Sequence, residues 1–178
     1  YLVKSAGEVS RVVQEAFYIA GTGRQGPVLI DIPKDVSTGL SGDVKLPEKV
    51  TLRGYNPTYK GHKRQMEKAL ELIDHAERPL IYAGGGIISS NASPELVEFA
   101  TRASIPVTTT LMGIGCIPCS HPLNLGMLGM HGTEYANFAV TECDLMIAIG
   151  ARFDDRVTGR IETFAPRAKI IHIDIDPA

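Results

Sequence analysis

Cysteine is scarce in this chain: Cys116, Cys119 and Cys143 are its three, an odd number that supports no disulfide framework and fits a reducing compartment. Charge of one sign is equally short. A net charge of −2 gives no electrostatic reason to expect a nucleic-acid or membrane partner. No apolar run approaches the length of a bilayer span, because Gly or charge interrupts each candidate. The N-terminus has no basic region followed by an apolar one, so no signal peptide is visible, although a chain opening on Tyr1 need not begin a natural protein. Ser–His–Asp spacing, a P-loop and a cluster of metal ligands are all missing, and His62, His75, His121 and His172 read as structural or surface residues. Cys116-Ile117-Pro118-Cys119 has the spacing of a redox dithiol. Gly113, Gly115, Pro118 and Pro122 around it disfavour the helix start such a motif needs, so a loop with two buried or half-buried thiols is the preferred reading.

What is present describes a folded scaffold. Hydrophobic residues make up 44% and charged residues 21%, the balance of a globular domain, and 178 residues allow one core of ordinary size plus a smaller segment. Eighteen Gly and 11 Pro suggest many tight connections. Glu8 to Ala20 places Val9, Val12, Val13, Ala16, Phe17 and Ile19 at helical spacing; Gly21, Gly23 and Gly26 end it, and Val28 to Ile32 then reads as a buried strand stopped by Pro33. The pattern lapses until Tyr59, as a linker would. From His62 a second pattern runs. Its helices are expected through Met66, Ala69, Leu70 and Ile73; from Ser93 as N-cap with Pro94 in first position; and over Thr133 to Val140. Strands are expected at Leu80–Ala83, Ile105–Thr109, Leu145–Ile149 and Lys169–Ile173. Apolar strands alternating with helices predict an α/β fold with a parallel sheet covered on both faces, in three layers.

The strand ends carry the chemistry. They run into Gly84-Gly85-Gly86, Thr109-Thr110, Gly150 and Asp174-Ile175-Asp176, and ligands of parallel α/β sheets bind beyond the carboxyl ends of strands. Glycine allows close backbone approach, and an acidic strand end suits ribose hydroxyls. Equally, the triple glycine is a tight turn and the aspartates are solvated strand ends, since no GxGxxG is present. Gly150 to Arg156 sets two cations and two carboxylates around Phe153; positioned charge for a phosphate or carboxylate is favoured there over surface ion pairs. Met127 to Gly132 opens the next helix, and its methionines suit a flat aromatic ligand or the core, with neither reading preferred.

Several strings resemble a known family. Gly26 to Asp35 is similar to the end of the pyrimidine-binding domain of thiamine-diphosphate enzymes. Pro79 to Gly86, Thr109 to Gly113, Leu128 to Thr133, Gly150 to Gly159 and His172 to Asp176 resemble the acetohydroxyacid (acetolactate) synthase family, in order along essentially the whole chain. The resemblance implies that residues 1–36 are the tail of the pyrimidine-binding domain, 37–60 an interdomain linker, and 61–178 a Rossmann-like central FAD-binding domain with a six-stranded sheet. By motif, Arg24, Gly85, Thr110, Leu111, Leu128, Gly129, Met130, His131, Gly150, Ala151, Arg152, Phe153, Asp154, Asp174 and Ile175 should contact FAD, which would span the domain junction. Lys34, Met130, Asp155 and Arg156 match residues lining the substrate channel. No catalytic residue and no metal ligand falls in this segment; thiamine diphosphate and Mg2+ would be held by parts of the parent protein outside it, and the segment alone should have no synthase activity. The implied parent decarboxylates pyruvate and ligates the two-carbon unit to a second 2-oxo acid. It would be a homodimer or homotetramer with a regulatory small subunit as partner, in the cytoplasm or an organelle stroma or matrix. Alternatives are a glyoxylate carboligase-like or oxo-acid oxidase-like relative, a non-catalytic nucleotide-binding module, and an excised domain that binds nothing.

Overall fold

The computed structural model describes residues 1–43, 46 and 48–176; Val44, Lys45 and Pro47 of the expected linker, and Pro177 and Ala178 at the end of the expected central domain, lie outside the described residues. Two compact units share the chain: Tyr1–Lys60 with Ile175–Ala178, and Gly61–Asp174.

In the first unit, α1 (Val9–Gly21) buries Val12 and Ala16, and the short α2 (Lys34–Ser37) buries Val36. Val3, Val12 and Val36 form a small core with Val9 and Ile30 against it. The expected strand at Val28–Ile32 is an extended run with a single bridge, Leu2 to Asp31, and Leu29 is exposed. A strand needs neighbours on which to spend its backbone groups. Here Tyr1–Val3 supplies them on one side, through Asp31 N–H to Tyr1 O (2.9 Å) and Val3 N–H to Asp31 O (3.0 Å).

The second unit opens with α3 (Lys63–His75), then β1 (Pro79–Ala83), the one-turn α4 (Gly85–Ser89), α5 (Ser93–Ala103) and β2 (Val107–Thr109). There follow β3 (Asn124–Met127), α6 (Glu134–Glu142), β4 (Leu145–Ile149), the short α7 (Asp155–Thr158) and β5 (Lys169–Ile173). The strands lie in the order β3-β2-β1-β4-β5, and every pairing is parallel. Ile81, Ala83, Val107, Leu145 and Ile147 pack with Leu96 and Ala100 of α5 on one face; Leu80, Tyr82, Met146 and Ala148 pack with Ala136 and Val140 of α6 on the other. This is a three-layer, Rossmann-like α/β/α fold. Because β1 and β4 are buried on both faces, their sequences are continuous apolar runs.

Some local expectations shift. Ala92, not Ser93, is the N-cap of α5, although Pro94 does sit in the first turn, where its missing N–H costs nothing. The sheet has five strands among the described residues, where the resemblance implies six, and β3 was not anticipated. Cys116 is buried but Cys119 is exposed, so only one thiol of the pair behaves as expected. Burial pushes the Cys116 thiol up, which disfavours the thiolate that dithiol chemistry needs. No described helix is long and apolar enough to cross a membrane.

At the amino edge of the sheet, the Asp144 carboxylate accepts from Glu77 N–H (2.8 Å) and Arg78 N–H (2.9 Å), anchoring the entry to β1 beside β4. These bonds, the one from Glu77 first, hold the Asp144 carboxyl below its ordinary pKa. A depressed carboxylate contributes stability that is full above its unfolded pKa and disappears as pH falls through the folded value. Asp144→Asn should therefore lower the unfolding free energy near neutrality, by less than about 1 kcal/mol because solvent screens this carboxylate. Thermal melts at stepped pH should show that gap closing below about pH 4.

Candidate functional site

Parallel pairing brings all the strands' carboxyl ends to one edge. From β1 the chain moves outward through β2 to β3, and from β4 it moves the opposite way to β5, so the crevice between diverging connections lies beyond β1 and β4. Glycine occupies it on both sides. Gly84 N–H donates to Ile149 O (2.9 Å), Gly86 N–H to Gly150 O (3.0 Å) and Gly150 N–H to Ile173 O (2.8 Å). Gly150 has φ +57°, and a Cβ there would stand 2.7 Å from the Gly86 Cα; a Cβ on Gly84 would strike the Gly150 carbonyl oxygen. The triple glycine is thus the start of α4, packed backbone against backbone on Gly150. Met112 closes over Gly85, whose added Cβ would meet the Met112 Cβ at 2.9 Å.

Beyond β2, Thr110 N–H donates to Ala83 O (2.9 Å) and its hydroxyl accepts from Gly113 N–H (2.9 Å). That closes a 3-10 turn which leaves Leu111 and Met112 69% and 74% exposed. Beyond β3, Leu128 is buried and hydrogen-bonds through its N–H to Thr109 O (3.3 Å). Gly129 follows at φ +96°, and Met130 is 73% exposed with its N–H 3.5 Å from Arg156 O. Apolar side chains held this open by backbone bonds suit the face of a flat ring.

Beyond β4, Ala151 is buried while Arg152 is exposed and pairs with Asp154 at 2.6 Å. Phe153 turns inward, its ring 5.9 Å from Tyr82, 6.0 Å from Phe164 and 5.4 Å from His172. His172 Nε2 lies 2.9 Å from Ala151 O and 3.7 Å from the Asp174 carboxylate, so the ring ties the β5 end to this loop. Asp154 caps α7 by accepting from Arg156 N–H (3.2 Å). That bond, then the neighbouring Asp155 and Arg152, holds its carboxyl below the ordinary range.

Every expected contact from Gly85 to Asp174 therefore follows the carboxyl end of a strand. Leu128 and Ala151 bury their side chains, so only their backbone can face a ligand. Arg24, Lys34 and Ile175 belong to the first unit. There Arg24 pairs with Asp176 at 2.9 Å, while Tyr55 donates to Thr22 O (2.9 Å) and Tyr59 accepts from Gly23 N–H (3.1 Å), pinning the glycine loop that carries Arg24. These tyrosines, with Tyr82 and His172, carry supporting roles that no local pattern announces. A hollow of about 430 Å³ along Glu95, Glu98, Phe99 and Arg102 of α5 holds none of the expected residues. Among the described residues no cluster of metal ligands occurs.

A family model described as "Thiamine pyrophosphate enzyme, central domain" matches residues 66–178. The chain belongs to that family. Over its whole length this family member is 58% identical to a probable acetolactate synthase large subunit of Methanocaldococcus jannaschii, covering 30% of that protein. It is 52% identical to the acetolactate synthase large subunit of Corynebacterium glutamicum over 100% of the chain and 28% of that protein. Against the acetolactate synthase large subunit of Haemophilus influenzae it is 50% identical over 99% of the chain and 31% of that protein. The chain thus spans about three tenths of the length of the curated relatives it matches.

Proposed function

We propose that this chain is the flavin-bearing middle portion of an acetolactate synthase, with residues 1–36 closing the preceding domain, 37–60 linking, and 61–178 forming the FAD domain. The reading rests most heavily on one observation: residues 85, 110–111, 128–131, 150–154 and 174, scattered through the sequence, gather at one edge of a parallel sheet. The donor set there fits FAD. Leu111, Met112 and Met130 offer apolar cover for a ring, Arg152 offers a fork for a phosphate, and Asp174 offers a carboxylate for a ribose hydroxyl. FAD has a structural place in this reading and does no net redox chemistry.

The parent enzyme would join the two-carbon unit of pyruvate to a second 2-oxo acid, with thiamine diphosphate and Mg2+ held elsewhere and supplying the stabilisation of the carbanion. This chain's share is to shape the approach: Met130, Asp155 and Arg156 stand on adjoining loops, tied where Met130 N–H meets Arg156 O. A homodimer or homotetramer and a regulatory small subunit belong to the same reading.

FAD should raise the melting temperature of the chain, by an amount equivalent to about 2.7 kcal/mol at a hundredfold excess over Kd, while NAD at equal concentration leaves it unchanged. A larger shift with NAD would replace this reading by that of a nucleotide-binding module.

A further inference from the structure

We propose that Asn137 is a positioning residue for the loop that carries Met130; the inference rests on the FAD-domain reading above and adds a residue to it. Asn137 lies in mid-α6, where asparagine is a poor helix former because its amide competes for backbone bonds. Its side chain reaches out of the helix instead. Oδ1 accepts from Gly129 N–H at 2.9 Å and Nδ2 donates to Gly129 O at 3.1 Å, so one planar amide holds both backbone polar groups of one glycine. Among side chains of this length only the amide makes that pair: leucine would fill the space with neither bond, and aspartate would set a carboxylate oxygen against the Gly129 carbonyl.

The clamp has a reason to be there. Gly129 sits at φ +96°, a conformation L side chains rarely adopt, and a Cβ on it would come 3.1 Å from Arg156 O and 3.4 Å from Val157 Cα. A glycine in that region is free to leave it unless something outside the loop holds both its ends. With Gly129 fixed, Met130 N–H is presented to Arg156 O, and the loops after β3 and β4 keep one relative register. Loss of the clamp frees the Met130 side chain, 73% exposed, and loosens its neighbour Arg156.

The test uses the 178-residue chain with Asn137→Ala, Asn137→Asp and, as a helix-weakening control that removes no hydrogen bond to either loop, Ala139→Gly. FAD affinity is read by flavin fluorescence, the absorption band of bound flavin is recorded, and exchange of the Gly129 amide is followed by NMR. Asn137→Ala should weaken FAD binding about tenfold, shift the band and unprotect the Gly129 amide. Asn137→Asp, which keeps the acceptor for Gly129 N–H, should retain that protection and fall between, so it carries the test if the alanine variant does not fold. Ala139→Gly should lower Tm by a similar amount with FAD affinity held within about twofold. An FAD affinity that tracks Tm alike in Asn137→Ala and Ala139→Gly would overturn the positioning role while leaving the FAD reading intact. Failure of the unsubstituted chain to bind FAD would remove both.

Discussion

Gly84→Ala should be the most damaging single-methyl change in the molecule. The added carbon would run into the Gly150 carbonyl oxygen, with the Ala151 Cα 2.6 Å away. Both obstacles are backbone, so no rotamer change relieves them. Gly150 cannot retreat either, because its N–H is bonded to Ile173 O and its carbonyl accepts from Gly86 N–H. Overpacking a tight core costs about 1–3 kcal/mol even where side chains can yield. With rigid backbone on both sides the upper end of that range is expected, a fall in Tm on the order of 10 °C. Gly7→Ala is the contrast: nothing lies within 4 Å of its added Cβ, so the change should stay within about 0.5 kcal/mol. Urea unfolding of both variants beside the parent chain measures the difference, and equal midpoints would refute the close approach of the two glycine segments.

Tyr82→Ala should cost at least as much, because it empties the side of the sheet that supports the Arg152 loop. Tyr82 is fully buried, packs among Leu128, Ala136 and Met146, and meets the Phe153 ring. Truncating a buried aromatic to alanine costs about 3–5 kcal/mol. The cavity would also loosen Phe153, so on the FAD reading proposed above flavin affinity should drop more than with an equally destabilising change at the amino edge. Tyr82→Phe keeps the ring and loses only a hydroxyl 3.4 Å from Arg152 O, too long to contribute much, and should cost under about 1 kcal/mol at neutral pH. Alkali separates the two variants further. Burial first, then the charge of Asp154, pushes the Tyr82 hydroxyl up to about 12. Above its unfolded value, near 10, the unfolded chain gains by ionising this tyrosine while the folded chain does not. Stability should therefore fall between pH 10 and 12 in the parent chain, and less steeply in Tyr82→Phe. Identical alkaline melting curves for the two would sink this account of the buried hydroxyl.

The fold was legible where burial on both faces imposes an unbroken apolar run, as at Leu80–Ala83 and Leu145–Ile149. It was illegible at Asn124-Leu125-Gly126-Met127. That strand is half-buried, lacks β-branched residues and carries Gly126 at φ +74°, so it shows neither a run nor an alternation. The candidate site was legible for a related reason: in a parallel sheet, residues that end strands must share an edge, however far apart they stand in sequence. What holds those residues could not be read. Asn137 stands eight positions from Gly129, Tyr82 stands seventy from Arg152, and His172 looks like any other solitary histidine until Ala151 is seen against it. Such contacts depend on which helix covers which strand, and periodicity does not encode that.

At the far side of the sheet, β5 pairs with β4 alone among the described strands, and Ile170 and Ile173 remain open to water. A strand with one unoccupied flank is a row of unspent donors and acceptors at regular spacing, ready to template any extended peptide that drifts alongside. The same rail that lets a fold grow by one more ribbon also lets two identical molecules zip together by mistake. Raising the concentration of this polypeptide should therefore favour association edge to edge along β5.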